Sequence, residues 1–180
     1  MTTPTTPTQP TGIDGALIVQ PTVHRDSRGF FFEIFRASWI KNPSPMVQWN
    51  VSRSTSGVVR GLHFHRYQSD YWHVIDGKLL VAFVDLRPKS PTYKVANCLE
   101  LDAANPRALL LPPGVLHGYR ILTDATLLYL VDNEYTGGDE YGVRWNDPAL
   151  NLPPYWYDHQ NPVLSNRDTQ APMLKDAPVF

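Results

Sequence analysis

Two histidines in short apolar stretches beside glycine are the residues of this sequence best placed for chemistry. His63 lies in Arg60-Gly-Leu-His-Phe-His65, and His117 lies in Pro112-Pro-Gly-Val-Leu-His-Gly118. They are about fifty residues apart, and strands with that separation can face each other across the interior of a small barrel. An inward imidazole can transfer a proton or bind a metal, because burial and neighbouring groups tune its pKa. For either histidine alone, a satisfied core residue is the competing interpretation.

The segments around the histidines have the period-2 alternation and short apolar runs of β-strands, interrupted by Gly, Pro and Asp. The predicted strands are Ala16–Gln20, Phe30–Phe35, Val47–Arg53, Val58–His65, Tyr71–Ile75, Leu79–Asp85, Tyr93–Leu101, Ala108–Leu111, Leu116–Leu122 and Thr126–Asp132. Asp76-Gly77 favours a two-residue hairpin, because both residues tolerate positive φ. Only Ala37–Lys41 has a helical pattern, and prolines after Tyr135 exclude long regular elements there. The pattern predicts an all-β jelly roll or small barrel.

Length and composition narrow the class of protein. A chain of 180 residues suits one domain with a real core. The formal net charge is −1 and the basic residues are scattered, so neither a nucleic acid nor an anionic membrane is an expected partner. No apolar run approaches the length of a membrane span. The single cysteine, Cys98, excludes an internal disulfide and predicts a reducing compartment, which we take to be the cytoplasm.

The first residues, Met1-Thr-Thr-Pro-Thr-Thr-Pro-Thr-Gln-Pro, lack the basic start and the apolar centre of a signal peptide. Their Thr/Pro composition is typical of a disordered segment. The sequence therefore predicts a disordered tail over residues 1–14 and a single domain over residues 15–180.

A series of short motifs resembles the dTDP-4-dehydrorhamnose 3,5-epimerase family. The motifs occur in the family's order and are Asp26-Ser-Arg-Gly-Phe-Phe-Phe-Glu33, Gln48-Trp-Asn50, Ser52-Arg-Ser54, Gly57-Val-Val-Arg-Gly-Leu-His63, Val84-Asp-Leu-Arg87, Ser90-Pro-Thr92, Pro113-Gly114, His117-Gly118 and Trp145-Asn-Asp-Pro148. The resemblance implies a cupin-type jelly-roll barrel with short flanking helices, assembled as a homodimer. It also implies a substrate in which a nucleotide, expected to be dTDP, carries a 4-keto-6-deoxy sugar. The implied reaction inverts one or both ring carbons flanking the ketone, without a cofactor or metal, in deoxysugar biosynthesis.

The resemblance assigns three catalytic residues. His63 matches the family's base, and Asp168, in Leu164-Ser-Asn-Arg-Asp168, matches the carboxylate that orients it. Tyr129, in Leu127-Leu-Tyr-Leu130, matches the acid on the opposite face of the sugar. The chemistry needs such a set, because a base must remove a proton from one face while an acid returns one to the other. Without the resemblance, Tyr129 would be read as core packing and Asp168 as a solvated loop residue.

Further positions match the family's substrate-binding groups. They are Arg28, Glu33, Gln48, Asn50, Arg60, His117, Tyr135, Glu140 and Arg167. The forked donors of a guanidinium suit a diphosphate, and an aromatic ring suits a nucleotide base. Each of the charged residues, taken alone, would be read as part of a solvated face.

One departure from the family opens two alternatives. Asp70 stands where the family has a lysine that can stabilise charge on the C4 oxygen, and Lys78 is the nearest lysine in sequence. In the first alternative His63, His65, Asp70 and His117 form the metal site of a metal-dependent cupin enzyme, since His63 and His65 share one face of a strand. In the second alternative the chain binds a sugar nucleotide without catalysis.

Overall fold

The computed structural model describes residues 7–178, and β-structure dominates them. The strands are β1 (Thr8–Pro10), β2 (Leu17–Val19), β3 (His24–Asp26), β4 (Gly29–Phe31), β5 (Gln48–Ser54), β6 (Val59–Phe64), β7 (Asp70–Asp85), β8 (Ala96–Asp102), β9 (Ala108–Leu111), β10 (Val115–Val131) and β11 (Tyr141–Gly142). The helices are α1 (Pro154–Tyr157) and α2 (Asn166–Thr169), with short 3₁₀ turns at Ala37–Trp39, Pro148–Leu150 and Leu174–Asp176. The predicted all-β class with short flanking helices is confirmed.

Two long strands organise the molecule. β7 and β10 are antiparallel partners along nearly their whole lengths, from Val115 opposite Asp85 to Val131 opposite Asp70. The first half of β7 pairs with β9 and its second half pairs with β8. The first half of β10 pairs with β6 and its second half pairs with β5. Each long strand therefore belongs to two sheet halves, and this is how one nine-stranded sheet folds over itself as a jelly roll.

The Asp76-Gly77 hairpin prediction is wrong, because β7 runs through these residues without reversing. Gly77 has φ +73°, and a Cβ there would lie 1.9 Å from the carbonyl oxygen of Asp124. Opposite it, the pairing of β10 shifts register between Ile121 and Leu127. The positive φ of Gly77 therefore belongs to a β-bulge. Bulges bend and twist strands, and at this one β7 and β10 both pass from one half of the sheet to the other. The predicted strands Tyr71–Ile75 and Leu79–Asp85 are accordingly two parts of the single strand β7. Leu116–Leu122 and Thr126–Asp132 are likewise two parts of β10.

Several shorter predictions agree with the structure. Val47–Arg53, Val58–His65 and Ala108–Leu111 correspond to β5, β6 and β9 within two residues. The helical pattern at Ala37–Lys41 forms one 3₁₀ turn. The predicted strand Phe30–Phe35 is ordered as a strand only through Phe31, in a hairpin of β3 and β4 that pairs with no other described strand.

The predicted disordered tail is wrong for part of its length. Thr8–Pro10 pairs with Leu17–Val19 at the edge of the sheet, so backbone hydrogen bonds order this segment. Residues 1–6 lie outside the described part of the chain. That residues 15–180 form a single domain stays a prediction.

Apolar side chains fill three layers. The inner layer lies between the sheet halves, with Val81, Leu109 and Leu127 among its buried members. The outer face of the β6–β8 half is covered by the C-terminal segment through Leu150 and Trp156. A third group of buried apolar residues, most of them from β7, β9 and β10, packs against the segment that follows β4. Within residues 7–178, no helix has the length and apolar character to cross a membrane.

Candidate active site

A cavity of about 440 Å³ opens between the two sheet halves. Its walls come from β5, β6, β7 and β10 and from the loops that carry Tyr135, Glu140 and α2. The predicted site residues that line it are His63, Asp168, Tyr129, Gln48, Asn50, Arg60, His117, Tyr135, Glu140 and Arg167. His65 and Asp70, from the metal alternative, line the same cavity. The structure thus brings ten of the twelve predicted catalytic and binding residues into one space.

Two glycines determine how closely β6 and β10 approach at the cavity floor. A Cβ at Gly61 would lie 2.9 Å from the Cα of Gly118, and a Cβ at Gly118 would lie 2.5 Å from the carbonyl oxygen of Arg60. Both distances are too short for any residue but glycine. His63 and His117 are direct partners in this pairing. They are therefore neighbours on adjacent strands and do not face each other across the interior, as the sequence had suggested.

His63 and Asp168 form a short hydrogen bond. The distance from Nε2 of His63 to Oδ1 of Asp168 is 2.7 Å, and the Asp168 side chain is 5% exposed. Asp168 lies in α2, where its backbone N–H donates to the Oγ of Ser165 at the helix N-cap. Burial tends to raise the pKa of Asp168, but hydrogen bonds from His63, Ser165 and the Gly61 backbone lower it overall. The carboxylate is therefore ionised and holds the imidazole by Nε2.

A second carboxylate lies on the other side of the same ring. Oε1 of Glu140 is 3.2 Å from Nδ1 of His63, and Oε2 accepts a 2.6 Å hydrogen bond from Arg167. Burial tends to raise the pKa of Glu140, but Arg167 and His63 lower it overall. If His63 becomes protonated, each of its two ring nitrogens has a carboxylate partner, Asp168 at Nε2 and Glu140 at Nδ1.

Tyr129 projects into the cavity from β10, opposite Asn50 on one side and Trp72 on the other. Burial raises the pKa of Tyr129, and the negative charge of Asp70 raises it further. The phenol therefore keeps its proton at neutral pH. Gln48 links strand to loop, because its amide nitrogen donates to Asn50 and its oxygen accepts from the backbone N–H of Tyr135.

The Arg60 guanidinium is oriented by a hydrogen bond from its Nε to the Oγ of Ser54. Tyr119 lies beside it, with its hydroxyl 3.1 Å from the Oγ of Ser52. Burial raises the pKa of Tyr119, so this phenol is also neutral. The sequence analysis missed both Tyr119 and Ser52. Period 2 could have found them, because each lies two residues from a predicted site residue on the same strand face.

His65, Asp70 and His117 form a separate buried group in the cavity wall. Nε2 of His65 is 3.7 Å from Oδ2 of Asp70, and Nε2 of His117 is 3.9 Å from the same oxygen. Trp72, which the sequence analysis also missed, packs edge-on against the His117 ring with centroids 5.0 Å apart. Lys78 does not take the place of the family's lysine, because its ammonium pairs with Glu100 and Asp102 outside the cavity.

Two predicted binding residues lie outside this cavity. Arg28, at the tip of the β3–β4 hairpin, is 88% exposed and pairs only with Asp26 among the described residues. Glu33 follows the hairpin and pairs with Arg36. Neither side chain reaches the site formed by its own chain.

Comparisons with known proteins agree with this geometry. The model of the dTDP-4-dehydrorhamnose 3,5-epimerase family matches residues 10–176. The chain belongs to this family. The enzyme of that name from Salmonella typhimurium is 36% identical over 175 residues, which is 93% of this chain and 94% of the relative. A dTDP-4-dehydrorhamnose 3-epimerase from Streptomyces niveus is also 36% identical, over 94% of this chain and 84% of the relative.

Solved structures of epimerases share the fold. A 3,5-epimerase from Legionella pneumophila, in complex with dTDP-4-keto-L-rhamnose, superposes with a TM-score of 0.88 at 30% identity, over 96% of this chain and 97% of that one. A 3'-monoepimerase from Streptomyces bikiniensis, in complex with dTDP-quinovose, gives a TM-score of 0.86 at 34% identity, over 93% of this chain and 87% of that one. The predicted cupin-type jelly roll and membership of an isomerase family are thereby confirmed.

Proposed function

We propose that this protein inverts a ring carbon beside the ketone of a dTDP-linked 4-keto-6-deoxy hexose, at C3, C5 or both, in deoxysugar biosynthesis. The observation that carries the proposal is the 2.7 Å hydrogen bond between His63 and Asp168 in the wall of a cavity that also holds Tyr129. Relatives named as 3,5-epimerases and as a 3-epimerase support the reaction class over a metal-dependent enzyme of another type. The dTDP-sugar complexes of solved epimerases support the substrate class.

His63 is the proposed base. Asp168 accepts the Nε2 proton, so the lone pair of the neutral ring is on Nδ1. When Nδ1 takes the proton from carbon, Glu140 at 3.2 Å is placed to accept a hydrogen bond from the new N–H. The two carboxylates stabilise the imidazolium by charge-assisted hydrogen bonds, and this lowers the cost of abstraction.

Tyr129 is the proposed acid. Its raised pKa keeps the phenol protonated at neutral pH, so that it can donate to the carbanionic carbon. Inversion requires this donor to act from the sugar face opposite the base. His63 on β6 and Tyr129 on the second half of β10 come from different parts of the cavity wall, which suits that division of roles.

Arginines in the cavity suit the substrate's charge. Arg60 and Arg167 both line it, and guanidinium donors match diphosphate oxygens. Gln48, Asn50 and Tyr135 line the same cavity and offer amide groups and an aromatic ring for the nucleotide. We assign these residues to substrate binding, as the family resemblance implies.

A proposed homodimer accounts for Arg28 and Glu33, the two predicted binding residues that lie outside the cavity. Phe30 and Phe31 on the hairpin are 60% and 64% exposed, and Trp49 and Val51 on the outer face of β5 are 68% and 67% exposed. An interface with a second copy would remove these four large apolar side chains from water, and contiguous apolar surface is typical of protein–protein interaction sites. In a homodimer, burial of the hairpin against a second copy would carry Arg28 and Glu33 toward that copy's cavity. The expected compartment is the cytoplasm, where free Cys98 stays reduced.

The test is solvent exchange into the substrate. Wild-type protein is incubated with dTDP-4-keto-6-deoxyglucose in D₂O, and deuterium at the carbons flanking the ketone is followed by NMR. A catalytic base exchanges these hydrogens, whereas a non-catalytic sugar-nucleotide binder leaves them as protium. Binding measured in parallel separates the second outcome from a failure to recognise dTDP.

A further inference from the structure

The His65, Asp70 and His117 group has the composition and geometry of a ligand set for a cation. One nitrogen of each imidazole and one carboxylate oxygen all lie within 4.8 Å of one another. All three side chains are at least nine-tenths buried, with exposures of 9%, 4% and 5%. Burial of an ionisable cluster is costly unless its charges and lone pairs find partners.

Backbone carbonyls fix the tautomer of both rings. Nδ1 of His65 is 2.5 Å from the carbonyl oxygen of Asp139, and Nδ1 of His117 is 2.8 Å from that of Val115. A carbonyl only accepts, so each Nδ1 carries the hydrogen and each neutral ring has its lone pair on Nε2. This second contact is the one that metal-ligating histidines usually make, because it orients the ring and raises its basicity.

In the neutral form of the two rings, both lone pairs face an electron-rich atom. The two Nε2 atoms are 3.7 and 3.9 Å from Oδ2 of Asp70, and both gaps are too long for a hydrogen bond. Asp70 accepts hydrogen bonds from Gln68 and Trp72, which hold its carboxylate in place and supply no donor to either imidazole. Three donor atoms thus surround one gap, and a positive centre there would convert their repulsion into attraction.

We propose that His65, Asp70 and His117 bind a divalent transition-metal ion. Two neutral imidazoles and one carboxylate suit Zn²⁺, Co²⁺ or Fe²⁺. Bonds of about 2.0–2.2 Å put tetrahedral ligand atoms about 3.3–3.6 Å apart, so the gaps of 3.7 and 3.9 Å between Asp70 and the two imidazoles need to close by only a few tenths of an ångström. His63 is not part of this group, which consists of His65, Asp70 and His117, and its Nε2 is held by Asp168. Metal and base therefore do not compete for one ring.

The position of the site in the cavity wall suggests its use. This step rests on the proposed function. A divalent cation polarises a carbonyl oxygen and stabilises the enolate that forms when the neighbouring carbon loses its proton. Asp70, which alone would oppose such charge, then serves the reaction as the anionic ligand.

The test is metal content together with the spectrum of bound Co²⁺. Untagged protein is stripped with chelator, incubated with Co²⁺ and desalted, and bound cobalt is then measured by elemental analysis and by visible d–d absorption. We expect about one ion per chain in the wild type and less than about a tenth in Asp70→Asn, a nearly isosteric change that removes the anionic ligand. His117→Gln should give the same loss. His24→Gln, which alters an exposed histidine, and His63→Asn should both keep the ion.

Each result decides the proposal. Wild-type protein without stoichiometric cobalt, or equal cobalt in wild type and Asp70→Asn, would overturn it, and the wild-type measurement stands even if a variant fails to fold. The proposed function is tested separately by deuterium exchange. Exchange in protein that binds no cobalt would reject the metal site and keep the epimerase. Bound cobalt with no exchange in wild type would do the reverse.

Discussion

The cavity holds two sets of histidine and carboxylate whose contacts differ in kind. His63 and Asp168 are 2.7 Å apart and share a hydrogen bond, whereas His65 and His117 face Asp70 across gaps of 3.7 and 3.9 Å. The first set holds a proton between its atoms. The second set has its protons fixed on the far side of each ring, by backbone carbonyls. The same residue types can therefore serve proton transfer or cation binding, and the position of the ring hydrogen decides which.

Replacement of His63 should have the largest effect on the chemistry. We expect His63→Asn to lower deuterium exchange into the substrate by at least about a hundredfold, the usual scale of a lost general base. The fold should persist, because asparagine is smaller and the position is in contact with the cavity. Exchange close to the wild-type rate would remove His63 from the mechanism.

Replacement of Tyr129 should separate exchange from inversion. Tyr129→Phe keeps the ring and removes the proton donor, so inversion should fall by about a hundredfold while exchange at the same carbon stays within about threefold of wild type. Both rates are read from one NMR time course in D₂O. An equal fall in the two rates would assign Tyr129 to binding or packing.

Arg28 tests whether a second copy of the chain completes the cavity. We expect Arg28→Ala to raise KM by about tenfold or more with little change in kcat, because hydrogen bonds to charged groups contribute about 1.5–3 kcal/mol. Arg25→Ala, on the same hairpin, is the matched control, since its guanidinium lies over the Phe30 ring. Equal KM values for wild type and Arg28→Ala would remove this residue from substrate binding.

The smallest expected effect is on stability at low pH. The pKa of Asp168 is lowered in the folded protein, so its ionised form stabilises the fold above the unfolded pKa of about 3.9. This contribution is lost as the pH falls through that value toward the folded pKa. The Tm difference between wild type and Asp168→Asn should therefore shrink from about pH 6 to about pH 3. A difference that stays constant over this range would show that the carboxylate's charge does not stabilise the fold.

Most strands could be predicted from local pattern, whereas most of the cavity residues were predicted from the resemblance of their motifs to those of the family. Period 2 places Gln48 and Asn50 on one face of β5 and His63 and His65 on one face of β6, and these residues line the cavity. Whether Asp76-Gly77 reverses the chain or bends one strand depends on a partner strand distant in sequence, which periodicity does not reveal. Tyr119 lies two residues from His117, so period 2 could have placed it in the cavity, but its position beside Arg60 depends on the pairing of β6 with β10.

Relations between distant residues account for the remaining differences. The sequence itself shows that Asp70 replaces the family's lysine. It does not show that Asp70 lies between two histidines, or that the backbone carbonyls of Asp139 and Val115 fix the tautomers of those histidines. Motif order matched Arg28 and Glu33 to binding residues, yet motifs do not reveal that these side chains lie outside the cavity of their own chain and pair with Asp26 and Arg36.

The most direct test of the central claim follows deuterium and stereochemistry at the same carbon. Wild-type protein is given dTDP-4-keto-6-deoxyglucose in D₂O, and NMR reports the configuration and isotope of C3 and C5 in the product. Removal of a proton on one face and return from the other predicts one solvent deuterium at every inverted carbon. An inverted carbon that still carried its original hydrogen would contradict the account.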